Sequence, residues 1–257
     1  MKYPITHHLV ILVWALSCFS CAVTRNQYGI ANIGTGANLS FKPAYRDTVE
    51  NATYIGGSLG STLGANGYND GESSQLGLLS INRAITFKNF NASYGGFIYG
   101  GKYITQPYPG IPGGNKSFIG GGIEGDINFN IPINDVDFRI IGLKATYLHE
   151  EGEYFDFRRN VERNRFANNL HPERGHFRFN LTSEAVLKIN DEMEAGAGIS
   201  LGLNKGSQSG GRLFFTRKNI SFYLQRSFTP PKLFDYTINS DQYQTHLNTV
   251  GFAVRIK

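Results

Sequence analysis

From Ile119 to Ile133 every second residue is apolar or glycine: Ile119, Gly121, Ile123, Gly125, Ile127, Phe129, Ile131 and Ile133. Between them stand Glu124, Asp126, Asn128 and Asn130. Side chains of a strand alternate between its two faces, so this segment predicts a strand with one oily and one wet face. It is about fourteen residues long, where an ordinary strand has five or six.

The same alternation recurs along most of the chain. It predicts strands over Ala52 to Leu59, Gln75 to Phe87, Ala92 to Ile104, Phe118 to Ile131 and Val136 to His149. Five more follow, over Gly175 to Ile189, Met193 to Leu203, Gly211 to Thr216, Ile220 to Ser227 and His246 to Ile256. Tight links at Lys88-Asn89, Pro132 to Asp135, Asn190-Asp191 and Arg217 to Asn219 alternate with longer connections. Short and long links in turn predict an up-and-down antiparallel β-barrel, with turns at one rim and loops at the other. The fold class is therefore all-β, with about 10 strands, or 12 if Asn38 to Tyr45 pairs with Tyr28 to Ile33. The apolar set faces outward into a membrane. An inward apolar face, in a soluble ligand-holding barrel, is the competing architecture; the strand length and the polar second face argue against it.

Two positions break the pattern. Val136, Phe138 and Ile140 change phase to Ile141, Leu143 and Ala145, which predicts a β-bulge at Ile140-Ile141. Arg83 sits on the apolar side between Ile81 and Ile85. A charge at the bilayer midplane costs a few kcal/mol, so Arg83 is expected near a rim.

Composition agrees with a barrel and excludes helical spans. After the N-terminal segment no run of some 18 apolar residues occurs. Glycine is plentiful, with 31 residues, many inside the strands, as close packing in a small barrel demands. The net charge of +5 is modest and scattered. With no one-signed basic stripe, nucleic acid is not an expected partner.

The chain opens with Lys2 and an apolar run from Leu9 to Leu16, followed by Ser17-Cys18 and Ser20-Cys21. This stretch is too short to cross a bilayer and reads as a secretory signal. Ending at a cysteine, it resembles a bacterial lipoprotein signal, which implies lipidation at Cys21 or alternatively at Cys18. The domain reading is a signal over residues 1–20, a leader or arm over 21–51, and the barrel over 52–257.

Chemistry-bearing residues are few. The two cysteines leave no disulfide framework for the rest of the chain. His149, His171 and His176 flank one loop with Glu150, Glu151 and Glu153, but no close-spaced His pair fixes a metal geometry. No Gly-x-Ser-x-Gly elbow is present. Gly120, Gly122 and Gly125 fit a dinucleotide fingerprint in spacing, yet strand alternation continues through them where a helix is required. No catalytic residue, metal or cofactor is expected. The loop from Glu150 to Arg174 carries Arg158, Arg159, Arg163, Arg165 and Arg174 among acidic residues, and Phe157, Val161 and Phe166 are spaced to line one side of a short helix. These arginines form a candidate rim surface for a protein partner or for lipid phosphates. On the inward faces, Glu124, Asp126, Glu184 and Glu194 stand against Arg139, Lys144, Arg178 and Arg255. A ten-stranded barrel has a small interior, and unpaired charges there are costly. A lumen filled with ion pairs is therefore expected.

The long alternating strands from Ala52 to Ile256, behind the Cys18/Cys21 signal, resemble lipid-modified outer-membrane barrel proteins of the kind common in Bacteroidota. That resemblance implies a bacterial outer-membrane location, outer-membrane lipid as a partner and, with Ala22, Val23, Thr24 and Arg25 after the cysteine, anchoring in the inner leaflet. It carries no activity to any named residue. The leading functional expectation is a non-enzymatic docking or structural subunit of the cell envelope, in contact with other envelope proteins. A narrow pore or small-solute binder, and a rim-sited lipid-modifying enzyme using the histidines, are the alternatives.

Overall fold

The computed structural model describes residues 40–46, 48–62, 73–105, 107–164, 173–204, 207–228 and 246–256. Among these residues ten antiparallel strands close into one barrel. They are β1 (Glu50–Thr62), β2 (Ser73–Thr86), β3 (Phe90–Thr105), β4 (Gly114–Ile133) and β5 (Val136–Glu151), then helix α1 (Glu153–Arg163). The remainder are β6 (Gly175–Asn190), β7 (Met193–Gly202), β8 (Ser209–Arg217), β9 (Ile220–Phe228) and β10 (His246–Ile256). Each strand pairs with its sequence neighbours, and β1 closes on β10 with Tyr54 opposite Arg255 and Ser58 opposite Gly251. Closure leaves no unpaired sheet edge.

Four tight connections lie at one rim, β2–β3, β4–β5, β6–β7 and β8–β9. Two of them use residues in the left-handed region, Asn134 at φ 53° and Lys218 at φ 55°, as two-residue hairpins between twisted strands require. The long connections lie at the other rim. The expected bulge is present: Phe129 pairs with Ile141 and Asn130 with Arg139, so Ile140 and Ile141 are both turned outward. It lets one strand keep apolar residues outside on both sides of a phase change. Arg83 is exposed on the outer face three residues from the end of β2, near the short-turn rim.

The two faces are inverted relative to a soluble protein. Leu59, Leu79, Ile98, Ile119, Ile123, Phe222 and Val250 stand on the outer face, each at least 60% exposed, with Leu59 at 74%. Inward positions are polar and buried, among them Asn91, Asp126, Asn130, Lys144, Arg139 and Arg178. Only hydrocarbon makes such an arrangement favourable: the outer side chains leave water, and the backbone polar groups are paired around the closed sheet. On β2 the polar ends of the outer face are Arg83 and Gln75, with Ile81, Leu79 and Gly77 between them. Eight residues at about 3.4 Å, tilted by some 40°, span roughly 20 Å of bilayer normal.

Inside, close packing forces glycine at Gly101. A Cβ built there lies 2.0 Å from the Gln75 carbonyl oxygen and 2.8 Å from the Phe118 ring, so a side chain would push apart β2 and β3.

Candidate functional site: the filled lumen

Two segments outside the strands occupy the lumen. The first is Ser40–Arg46, which runs inside the barrel before the chain turns into β1. Its contacts are ordered along the axis. Arg46 meets Asp191 at 3.4 Å and Glu194 at 3.1 Å, at the β6–β7 turn. The Tyr45 carbonyl accepts from Lys188 Nζ at 3.3 Å. The Pro43 carbonyl accepts from Thr86 Oγ1 at 2.9 Å and from Arg139 Nη2 at 3.0 Å. Lys42 pairs with Asp126 at 2.5 Å and donates to Asn128 Oδ1. Ser40 donates to Glu124 at 3.1 Å. Phe41 lies against Tyr54, Phe214 and Tyr223, with the Arg212 guanidinium 4.4 Å from its ring centroid. A cation held over an aromatic face away from water contributes about 1–2 kcal/mol.

Around this arm the inward charges pair across the barrel. Glu184 receives Arg139 and, at 2.7 Å, Arg212. Arg139 also lies 3.4 Å from Asp137. Lys144 pairs with Glu124 at 2.8 Å, and Arg255 with Glu50 at 2.9 Å. Arg178 is buried, and its electrostatic neighbours are Tyr99, Glu150 and Arg158. Such pairs set register and position more than net stability, because desolvation offsets much of their attraction.

The second segment is α1, in the β5–β6 connection, folded into the loop-side mouth. Acidic Glu153 and Asp156 stand in its first turn and Arg163 in its last, which suits the helix dipole. Tyr154, Phe157 and Val161 pack with Tyr103, Phe118, Leu148 and Leu247. Tyr103 and Tyr154 are stacked at 4.4 Å. Arg158 is fully buried, 2.6 Å from the equally buried Glu150, which also accepts from the Tyr99 hydroxyl at 3.3 Å. At the helix start the Ser117 backbone N–H and hydroxyl both donate to Glu153, at 3.0 and 2.9 Å. The backbone bond, then the hydroxyl, hold this exposed carboxyl below its usual range.

The rim arginines therefore divide. Arg158 faces inward and is buried rather than displayed. Arg159 and Arg163 are exposed on α1. Arg174 is paired with Glu151 at 3.4 Å and lies 4.8 Å over the Phe155 ring. Arg165, His171, Cys18 and Cys21 lie outside the described residues. His149 is on the outer face beside Glu151 at 3.3 Å, while His176 is paired opposite the inward Leu148. No cluster of three metal-ligating side chains occurs among the described residues.

Sequence reasoning placed Lys42, Phe41 and Arg46 in a leader and did not place Tyr99, Glu150, Arg158 or Arg212 in the lumen network. Arg212 and Glu150 had a signal: each continues the inward alternation of its strand. The arm had none.

A closed, even-stranded antiparallel barrel with an apolar exterior and a polar, side-chain-filled interior defines a bacterial outer-membrane β-barrel. The sequence matches no protein-family model and no curated protein. Solved structures similar to it include Neisserial surface protein A, at 6% identity and a TM-score of 0.36, covering 81% of this chain and 99% of that one. The translocator domain of the autotransporter NalP from Neisseria meningitidis is similar at 11% identity and 0.36, covering 98% and 96%. The NanC porin is similar at 10% identity and 0.30, covering 80% and 100%. At such identities and scores the likeness adds no functional argument to what the barrel's own surfaces define.

Proposed function

We propose that this chain is a non-conducting, lipid-anchored barrel that serves as a structural or docking subunit of the bacterial outer membrane. The observation that carries this reading is the arm Ser40–Arg46, bound within the lumen through Lys42–Asp126, Arg46–Glu194 and the Phe41–Arg212 contact. A transport pathway needs a continuous wet lumen, whereas here the arm fills the short-turn half and α1 covers part of the loop-side mouth. The anchor is a lipid on Cys21 or Cys18. The docking surface is the exposed side of α1, which displays Arg159, Glu162 and Arg163 and suits a protein partner of mixed charge.

Planar-bilayer recording of the purified protein tests the lumen. The expected result is no steady conductance, and a large sustained conductance would replace the docking role by transport. Metabolic labelling with a fatty-acid analogue tests the anchor. The wild type should take up label, and one of Cys21→Ala and Cys18→Ala should abolish it; an unlabelled wild type removes the lipoprotein reading.

A further inference from the structure

Charge is distributed differently on the two faces of the barrel wall. Inward charges occur in both signs and meet across the lumen. On the outer face, among the described residues, the strands carry the cations Arg83, Lys102, Arg217 and Arg226 against the acid Glu151. Glu151 is already engaged, by His149 at 3.3 Å and Arg174 at 3.4 Å. Neither Lys102 nor Arg226 has an ion pair among the described residues. An ionisable side chain turned towards a bilayer is costly and calls for a partner.

Lys102 and Arg226 belong to one row of directly paired residues. Arg226 stands opposite Asn248, Asn248 opposite Ser61, Ser61 opposite Gln75, and Gln75 opposite Lys102. Every member of this row is exposed and polar, and none is acidic. The next outward row towards the membrane centre is apolar or glycine throughout: Leu224, Val250, Leu59, Gly77 and Gly100. The boundary between the rows lies near the loop ends of the strands, the side that faces the cell exterior in bacterial barrels. The row slopes, because beyond Arg226 it continues through Gly211 and Ile199 to Ser183, halfway down β6. With strands about 4.8 Å apart and tilted near 40°, Lys102 is roughly 19 Å along the row from Arg226 and about 12 Å farther from the membrane centre. Long side chains bring both charges to one headgroup layer, Arg226 by reaching outward along the wall.

Directly below Gln75 and Lys102 the outer surface is notched. Gly77 and Gly100 pair side by side, flanked by Leu59 at 74% exposure and Ile119 at 66%. Leu79 and Ile98, themselves paired, close the lower edge. The notch belongs to an apolar groove of about 770 Å³. A Cβ built at Gly77 meets only Leu59, at 3.7 Å, so the packing of the barrel does not require glycine there. A second copy of this chain offers no free outward carboxylate on its described strands to meet the cations. Lipid offers phosphate at the level of the polar row and acyl chain at the level of the groove. We propose that the β9–β10–β1–β2–β3 face retains outer-leaflet lipid, with Lys102 and Arg226 on headgroup phosphate and an acyl chain in the notch over Gly77 and Gly100. Phosphate oxygens accept charge-assisted hydrogen bonds from both cations, and Asn248, Ser61 and Gln75 supply neutral donors between them. The site lies outside the barrel and depends on neither the filled lumen nor the cysteine anchor.

The test uses the full chain in phosphatidylcholine nanodiscs doped with increasing lipid A, either intact or stripped of its phosphates. A photoreactive side chain in place of Ser61, in the middle of the row, reports lipid A at this face by crosslinking. Intact lipid A should crosslink at a lower mole fraction than the dephosphorylated form. Lys102→Gln/Arg226→Gln should raise the mole fraction of intact lipid A needed for half-maximal crosslinking by about thirtyfold, from roughly fivefold for each cation near a membrane surface. It should leave the dephosphorylated form unaffected. Both substitutions remove charge from the membrane face, so folding, read by heat-modifiable gel mobility, should be kept. Gly77→Leu fills the notch and should weaken crosslinking of both forms. Equal crosslinking of the two forms by the parent, or an unshifted double variant, overturns the phosphate site; an unshifted Gly77→Leu overturns the acyl contact. A double variant that loses a co-purifying envelope protein while its lipid A crosslinking is unchanged assigns the cations to a protein and also overturns the proposal.

Discussion

Lys42→Met isolates the contact that holds the arm. Methionine keeps most of the apolar stem of lysine and removes the ammonium. Asp126, whose side chain is fully buried, then loses the cation that sits 2.5 Å away, and Asn128 loses a donor. Breaking a buried ion pair by removing one partner costs about 3–5 kcal/mol, because the remaining charge is left uncompensated. The barrel has its own strand pairing, so the cost falls on arm docking. At about 1.36 kcal/mol per tenfold change, the undocked fraction rises between roughly a hundred- and a few-thousand-fold. The arm remains mostly docked, since the partial burial of Phe41 contributes about 1–2 kcal/mol and its aromatic and cation contacts add to that. Maleimide labelling reads the change directly. Ser40 is 6% exposed, so Ser40→Cys, with Cys18 and Cys21 replaced by Ser, reacts only when the arm leaves its seat. The labelling rate should rise with Lys42→Met by the factor above. It should fall back to within about tenfold of the parent in Lys42→Met/Asp126→Asn, which removes both charges. Equal rates in the parent and Lys42→Met, or no rescue by Asp126→Asn, would refute the assignment of arm docking to this pair.

Glu150→Ala removes the carboxylate 2.6 Å from the buried Arg158 guanidinium and should weaken α1 docking by up to about 3–5 kcal/mol, read as faster tryptic cleavage at Arg159 and Arg163 in the folded barrel. Leu79→Arg, midway on β2 between outer polar residues Arg83 and Gln75, should lower barrel stability by about 2–4 kcal/mol in a bilayer titration, whereas Gln75→Arg at the rim should change it little. The Glu153 carboxyl is held below its usual range by Ser117, so its contribution to holding α1 is present above the unfolded-state carboxylate range. It is lost as pH falls through the lowered folded value. Cleavage within α1 by an acid-active protease should therefore accelerate modestly only below the ordinary carboxylate range, and Glu153→Gln should show the acid behaviour already at neutral pH; a wild type whose cleavage does not change across that window would exclude this contact as a helix anchor.

The strands, the tight turns, the bulge at Ile140-Ile141 and the outward apolar face were legible in the sequence because all are local. A period of two is visible within one strand, and its phase change is visible between Phe138 and Leu143. The same period sorted Glu124, Asp126, Lys144, Arg178 and Glu184 to one face, although their partners could not be read from it. Lys42 lies 84 residues from Asp126 in sequence, and Arg46 lies 148 residues from Glu194. No periodicity links such positions. Arg158 looked like one more charge in a loop of mixed sign, since helix spacing gives a face but not the depth at which that face is set. Closure of β1 on β10 supplied what the sequence lacked. It made a small enclosed volume of low dielectric, in which each inward charge had to find a partner and a short arm with one lysine and one phenylalanine could fill the remaining space. Sequence alone determined that this chain wraps into a barrel with its oily side out; only the tertiary structure decided that the lumen is occupied, and by which residues.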